Sequence, residues 1–266
     1  MATKNEAAVA FVLNHGSSLE KARLRYLLFN EPTPDTVRDD MSRSQRNDGG
    51  WAPAWSPEYS SIDATCFQLT LARQAGIDAY APLVIDGLRF LAERQKADGS
   101  WEEDPAEAQA APAWAVPGDT MARLYLTANA GLSLASGDVL PGPAREAAVF
   151  LARSLAEDSR LPSFLHTHWL AAALWQRVDD RVSADRSLAS LETRLDDLSA
   201  GNLAWLLLSL LEAGVATDTP VVAASRERLL ALRESEGYWP SDETSDNAVH
   251  VTIEALAALQ LFNTLS

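Results

Sequence analysis

Gln45-Arg46-Asn47-Asp48-Gly49-Gly50-Trp51 recurs as Gln95-Lys96-Ala97-Asp98-Gly99-Ser100-Trp101, and a degenerate third copy, Arg233-Glu234-Ser235-Glu236-Gly237-Tyr238-Trp239, keeps the glycine and the tryptophan. The first two tryptophans stand 50 residues apart, a period that marks a chain built from repeated supersecondary units. Before Gln95, Val84, Leu88 and Leu91 fall at the i, i+4 and i+7 spacing of one helix face. Asp98-Gly99 then ends the helix: aspartate bonds its local backbone and glycine accepts positive φ. A glutamine at the helix end can bond exposed backbone groups while the tryptophan covers the joint. The segment therefore reads as a clamp between neighbouring units, with Trp51, Trp101 and Trp239 packed between hairpins rather than lining a pocket.

Outward from each clamp the pattern changes to a more uniformly apolar helix, clearest in Leu203-Ala204-Trp205-Leu206-Leu207-Leu208-Ser209-Leu210-Leu211. Hydrophobicity on all sides means burial on most faces. Two such helices end alike, in Gln74-Ala75-Gly76-Ile77 and Glu212-Ala213-Gly214-Val215, with glycine and then an apolar residue as a Schellman ending requires. Pro82, Pro143 and Pro220 mark the first turns of the helices that follow. Buried helices are expected near 19–29, 60–75, 119–135, 164–177, 199–213 and 247–263, and outer ones near 5–14, 34–45, 83–95, 143–156, 183–195 and 219–233. No long alternating β pattern competes with this reading. The fold class is all-α, about six helical hairpins forming one domain over residues 1–266.

Composition sets limits on partners. Of 266 residues 47% are hydrophobic, enough for a sizeable core, and the formal charge of −15 repels nucleic acid and anionic membrane surfaces at long range. The longest apolar run, Leu203 to Leu211, is too short to span a bilayer, so no transmembrane segment is expected. The first residues lack a basic start followed by an apolar run, and Cys66 is the single cysteine. A cytoplasmic protein without a disulfide framework is expected.

The repeated Gln-x-x-Asp-Gly-Gly/Ser-Trp segments resemble the QW motifs of squalene and oxidosqualene cyclases and the related repeats of protein prenyltransferase β subunits. That resemblance extends over the whole chain through the hairpin count. It implies an (α/α)6 toroid whose parallel inner helices surround an axial pocket, and an apolar, isoprenoid-type ligand. The family's acid motif, Asp-x-Asp-Asp, has no counterpart here: Asp39-Asp40, Asp179-Asp180 and Asp196-Asp197 are bare pairs near helix ends. The zinc ligands of the prenyltransferases are also unmatched, because Ala64 stands two residues before Cys66.

Parallel inner helices, as the resemblance implies, gather their starts at one mouth, which would carry Asp63, Asp119, His166, His168, Asn202, Asp246 and His250. Asp119 suits either an N-cap or, if burial keeps it protonated, an acid. Asp63 has the same two readings, with Ser60 and Ser61 as alternative caps. His166 and His168 could contact substrate, move protons, join His250 and a carboxylate in a mixed metal site, or serve helix ends and buried carbonyls. Tyr26, Phe29, Phe67, Tyr125, Phe164, Trp169, Trp175 and Trp205 could face a developing carbocation or fill the core. Three functions fit: a terpenoid-cyclase-like protein that acts on or binds an isoprenoid, with Asp119 or a rim histidine handling the proton and Asp119 and His168 the strongest candidates; a noncatalytic ligand- or partner-binding toroid; and a metal-dependent enzyme using His166, His168 and His250. No organic cofactor is indicated.

Overall fold

The computed structural model describes residues 4–137, 139–242, 244 and 247–265. Among these there are twelve α-helices and no strand: α1 (Lys4–His15), α2 (Ser18–Phe29), α3 (Asp35–Ser44), α4 (Ile62–Gln74), α5 (Pro82–Glu93), α6 (Thr120–Gly137), α7 (Pro141–Ser154), α8 (Leu165–Arg177), α9 (Arg181–Glu192), α10 (Ala200–Glu212), α11 (Pro220–Ala231) and α12 (Ala248–Leu265). The helices follow the expected spacing to within a few residues. Starts differ by at most two residues; α7 begins at Pro141, so that Pro143 stands at its third position. Gly76 and Gly214 take φ of 69° and 86°. Ile77 and Val215 then donate back to the carbonyls of Ala72 and Leu210, which closes both Schellman endings.

Packing divides the chain into two compact units. One holds residues 1–37, 74–76 and 191–266, and in it α12 packs on α10, α11's partner, and on α1 and α2. Helix α12 is long and apolar enough to cross a membrane by length and composition, but most of it is buried against these neighbours, as befits a core helix. The other unit holds residues 38–73 and 77–190, where α6 packs on α5, α7 and α8.

Each repeated segment is built from the same hydrogen bonds. Gln45 Nε2 donates to the carbonyls of Gly49 and Leu83, both at 2.8 Å, and Gln95 Nε2 donates to those of Gly99 and Pro143 at 3.0 and 2.9 Å. One side chain thus closes its own turn and ties it to the start of the next outer-type helix. Gly49 and Gly99 are required twice over. Their φ values are 86° and 91°, and a Cβ would lie 2.5 Å from the Asp86 carbonyl oxygen or 2.6 Å from that of Glu146. In the third copy Arg233 replaces glutamine: its Nε donates to the Gly237 carbonyl at 2.7 Å and its Nη1 to Asn5 Oδ1 at 2.8 Å. That contact links the chain's last segments to its first helix within one unit.

The tryptophans are where the sequence places them. Trp51, Trp101 and Trp239 are buried, their backbone N–H groups donate to the hydroxyls of Thr65, Thr127 and Thr252, and the Trp101 and Trp239 indoles donate to the carbonyls of Leu91 and Leu229. Each indole therefore spans two helices. A further copy of the turn is present at Leu155-Ala156-Glu157-Asp158-Ser159-Arg160-Leu161, with serine for glycine and leucine for tryptophan. Ala156 N–H donates to the Arg160 carbonyl and Ser159 N–H to that of Ala156, and Ser159 holds a φ of 67°. Trp101→Ala should cost about 3–5 kcal/mol of stability in denaturant unfolding. A loss below about 1 kcal/mol would contradict the clamp.

Candidate functional site

The start of α4 is held from both neighbouring repeats. On one side, the Trp51 carbonyl accepts from Ser61 N–H at 3.0 Å, and Thr65, which takes the Trp51 N–H, donates its own proton to the Ser61 carbonyl. On the other side stands Glu103, two residues after Trp101 and 1% exposed. Its Oε1 accepts from Ser61 Oγ at 2.7 Å and Asp63 N–H at 3.2 Å; its Oε2 accepts from Tyr59 OH at 2.8 Å and Ile62 N–H at 3.1 Å. An anion on the first amides of a helix meets both their unpaired donors and their partial positive charge.

This anchoring presents Asp63. Its Oδ1 accepts from Tyr125 OH at 2.7 Å and, more weakly, from Asn129 Nδ2 at 3.4 Å, and its Oδ2 accepts from the Trp114 indole at 3.0 Å. Tyr125 and Asn129 stand one turn apart on α6, which brings both to the carboxyl. Burial pushes the Asp63 carboxyl above the usual carboxylate range, against the pull of Tyr125, Trp114 and Asn129. The residue nevertheless keeps partial exposure. Its carboxyl is thus enclosed by protein donors while the residue still touches solvent. Around it Phe67, Trp114 and Met121 are 48%, 42% and 40% exposed. Phe67 lies one turn beyond Asp63 on α4 and Met121 one turn before Tyr125 on α6, so these apolar side chains flank the acid.

Aromatic rings continue the wall. The His166 ring meets the Tyr125 ring edge-on at 4.7 Å between centroids, stacks on Phe164 at 5.3 Å and meets Trp169 at 5.9 Å. Burial lowers the His166 imidazole to about 4, with His168 adding to the effect, so the ring is neutral near pH 7. Burial also holds the Tyr125 phenol well above its ordinary value, and the neighbouring Asp63 adds to this. The cluster thus joins one carboxyl that burial shifts upwards, one neutral imidazole and several packed aromatic rings.

Of the side chains singled out in the sequence, Asp63 and His166 come together through Tyr125. Asp119 is exposed and caps α6, its Oδ1 accepting from Ala122 N–H at 2.9 Å. His168 is buried and serves the degenerate turn. Its Nε2 accepts from Leu161 N–H at 3.1 Å and its Nδ1 faces the Phe164 carbonyl at 3.2 Å, which assigns the proton to Nδ1. It thus does for Leu161 what a threonine does for each tryptophan. Asp119 and His168 are thus engaged in helix-end and turn bonds, whereas Asp63 meets the side chains of α6. His250 belongs to the other unit, where its Nδ1 accepts from Arg23 at 3.0 Å and its Nε2 lies 3.4 Å from Glu254. Asn202 completes the Ser199 cap of α10, and Asp246 lies outside the described residues. Among the described residues no group of three or more histidine, cysteine, aspartate or glutamate side chains is placed to hold a metal ion. Trp114 and Glu103 escaped the sequence reading. The only signal for Glu103 was an acid repeated just past a clamp tryptophan, in Trp101-Glu102-Glu103.

No protein-family model matches the chain, and no curated protein matches it in sequence. Solved structures match it over nearly its whole length. A protein from Actinoplanes is 18% identical with a TM-score of 0.65, over 98% of both chains. The type II terpene cyclase MstE from Scytonema, as a variant in complex with geranylgeranyl dihydroxybenzoate, its substrate, is 16% identical with a TM-score of 0.62, over 99% of this chain and 97% of that one. Another MstE variant, in complex with the product merosterolic acid A, is 16% identical with a TM-score of 0.63 over the same shares. The chain has the all-helical fold of these proteins.

Proposed function

We propose that this protein binds an apolar isoprenoid-type ligand against Asp63 and the exposed Phe67, Trp114 and Met121 and cyclises it by protonation, Asp63 being the proton donor. The observation that carries this reading is a carboxyl on which Tyr125, Trp114 and Asn129 converge, in surroundings whose burial shifts it above the usual carboxylate range. Burial keeps the proton in place at rest, and the three donors stabilise the carboxylate once it has left. In the step itself an O–H bond of Asp63 breaks and a C–H bond forms on a ligand alkene. The resulting cation is attacked by a second alkene, and loss of a ring proton restores a neutral product, an isomer of the starting ligand. The π faces of Phe67 and Trp114, the exposed aromatics beside the acid, stabilise the cation. His166 contributes by staying neutral, since an imidazolium in that wall would repel it.

Geranylgeranyl dihydroxybenzoate, the ligand of the fold's solved neighbour, is a suitable probe. Asp63→Asn should lower turnover by about a hundredfold to ten-thousandfold while the dissociation constant changes by less than about threefold. Asp119→Ala should cost about 1 kcal/mol of stability through its lost cap and leave turnover in place. Binding without turnover in any variant would instead favour a noncatalytic binding protein, and unchanged turnover in Asp63→Asn would reject Asp63 as the acid.

Acid titration gives a second, substrate-free test. Between pH 6.5, the ordinary imidazole value, and about 4, the unfolded chain takes up a proton at His166 that the folded chain refuses. The unfolded state then binds more protons, so this contribution is complete above 6.5 and declines as pH falls towards 4. His166→Phe should therefore have a melting temperature that falls less steeply over that window than that of the wild type. Equal slopes would mean that His166 ionises normally.

A further inference from the structure

Residues 105–117 lie between the second repeated turn and α6 and are held to the rest of the chain by very little. Of these thirteen residues six are alanine and only Ala115 is buried, so the segment gains little from apolar burial. Its two ends are fixed. Asp104 N–H donates to Tyr59 OH at 3.0 Å, and Gly118 N–H donates to the Glu102 side chain, which also pairs with Lys96. Between these ends the backbone bonds to itself: the N–H groups of Ala110 and Ala111 donate to the Glu107 carbonyl, and that of Ala115 to the Pro112 carbonyl. Among the described residues, one hydrogen bond leads from 105–117 to a residue beyond its flanks. It runs from the Trp114 indole to Asp63 Oδ2 at 3.0 Å.

Of the three donors on Asp63, Tyr125 and Asn129 are fixed on α6, whereas Trp114 is carried by this loop and is 42% exposed. A ligand alkene that takes the Asp63 proton must touch a carboxyl that these three already enclose. Trp114 is the donor that can make way. We propose that residues 105–117 form a lid over Asp63, latched by the Trp114 indole: it swings out to admit the ligand, then returns with its N–H on Asp63 and its ring against the ligand. The proposal rests on the reading of Asp63 as proton donor and adds the step that controls access to it. A loop with closed ends and little buried surface belongs to the parts of a fold that open most readily. One hydrogen bond is enough to keep such a loop shut most of the time. Closure over the ligand also keeps water from the cation.

Hydrogen–deuterium exchange of the ligand-free protein, read by mass spectrometry on the peptide spanning 105–117, tests the latch. Trp114→Phe keeps an aromatic ring and removes the N–H. Exchange at the Ala110, Ala111 and Ala115 amides should rise about fivefold to tenfold, the effect of losing one hydrogen bond, with α4 and α6 unchanged. Asp63→Ala removes the acceptor and should loosen the loop as much, and the double variant no further. Exchange unmoved in both single variants would overturn the proposal and leave Trp114 a surface side chain. Stopped-flow binding of geranylgeranyl dihydroxybenzoate tests the gate. In the wild type the observed association rate should level off with ligand concentration, because opening comes first, and Trp114→Phe should raise that ceiling by the same factor. A rate that climbs linearly and equally in the two proteins would overturn the lid. A loop loosened by Trp114→Phe, with a probe that binds to no variant, would uphold the latch and reject the ligand reading, so the two failures are told apart.

Discussion

The backbone N–H of each clamp tryptophan is taken by a threonine hydroxyl on the helix it precedes: Trp51 by Thr65, Trp101 by Thr127 and Trp239 by Thr252. A tryptophan buried at a joint cannot leave its amide unpaired without a cost of about 1–3 kcal/mol. The threonine therefore fixes the distance between the glycine turn and the helix that follows. In two copies the same hydroxyl passes its proton to the carbonyl four residues back, Ser61 or Arg123. Neither side chain is then free to rotate. In the first two turns the glutamine adds the lateral bond to the next helix, and the left-handed glycine lets that helix come within contact of the turn's backbone.

The proposed chemistry depends on this geometry. Asp63 lies between two clamps, its helix start pinned by Trp51 through Ser61 and Thr65 and by Glu103 just past Trp101. An acid that must stay protonated until an alkene is in place cannot sit on a mobile loop, where water would ionise it. Here repeated scaffolding holds the backbone, and α6 supplies Tyr125 and Asn129 from one face. The buried group in the other unit shows the contrasting solution. There Arg23, bonded to Gln74 at 2.9 Å and to His250, lies beside Glu254, whose carboxyl is lowered to about 2. Burial alone would raise that carboxyl, and the neighbouring His250 and Arg23 reverse it. Glu254 thus has a guanidinium beside it, whereas the hydrogen-bond donors around Asp63 are neutral.

The fold was legible because its repeat is spelled in residues that have few substitutes. Glycine at positive φ and tryptophan at a joint leave strong marks, and the helix endings at Gly76 and Gly214 follow from local rules. The copy at Leu155–Leu161 was not legible, since Ser159 adopts the left-handed conformation without glycine and Leu161 fills the tryptophan's place. With that copy hidden, the bond from Leu161 N–H to His168 was hidden too. Asp119 left two readings open because a cap and an acid share the same local sequence; the folded chain shows the cap bond from Ala122 N–H. Burial of Asp63 depends on Trp114 and Tyr125, 51 and 62 residues away, and no local pattern encodes such a distance. Glu103 acts across 40 residues on the Asp63 amide, so it too was visible only in the folded chain.

The central claim is that Asp63 delivers a solvent-exchangeable proton to an alkene. Incubating the protein with geranylgeranyl dihydroxybenzoate in deuterium oxide and analysing the recovered material by mass spectrometry and NMR tests this directly. The account predicts a cyclised isomer carrying one deuterium at the carbon that was protonated, absent with Asp63→Asn. A cyclised product free of deuterium, or one formed equally well by Asp63→Asn, would contradict it.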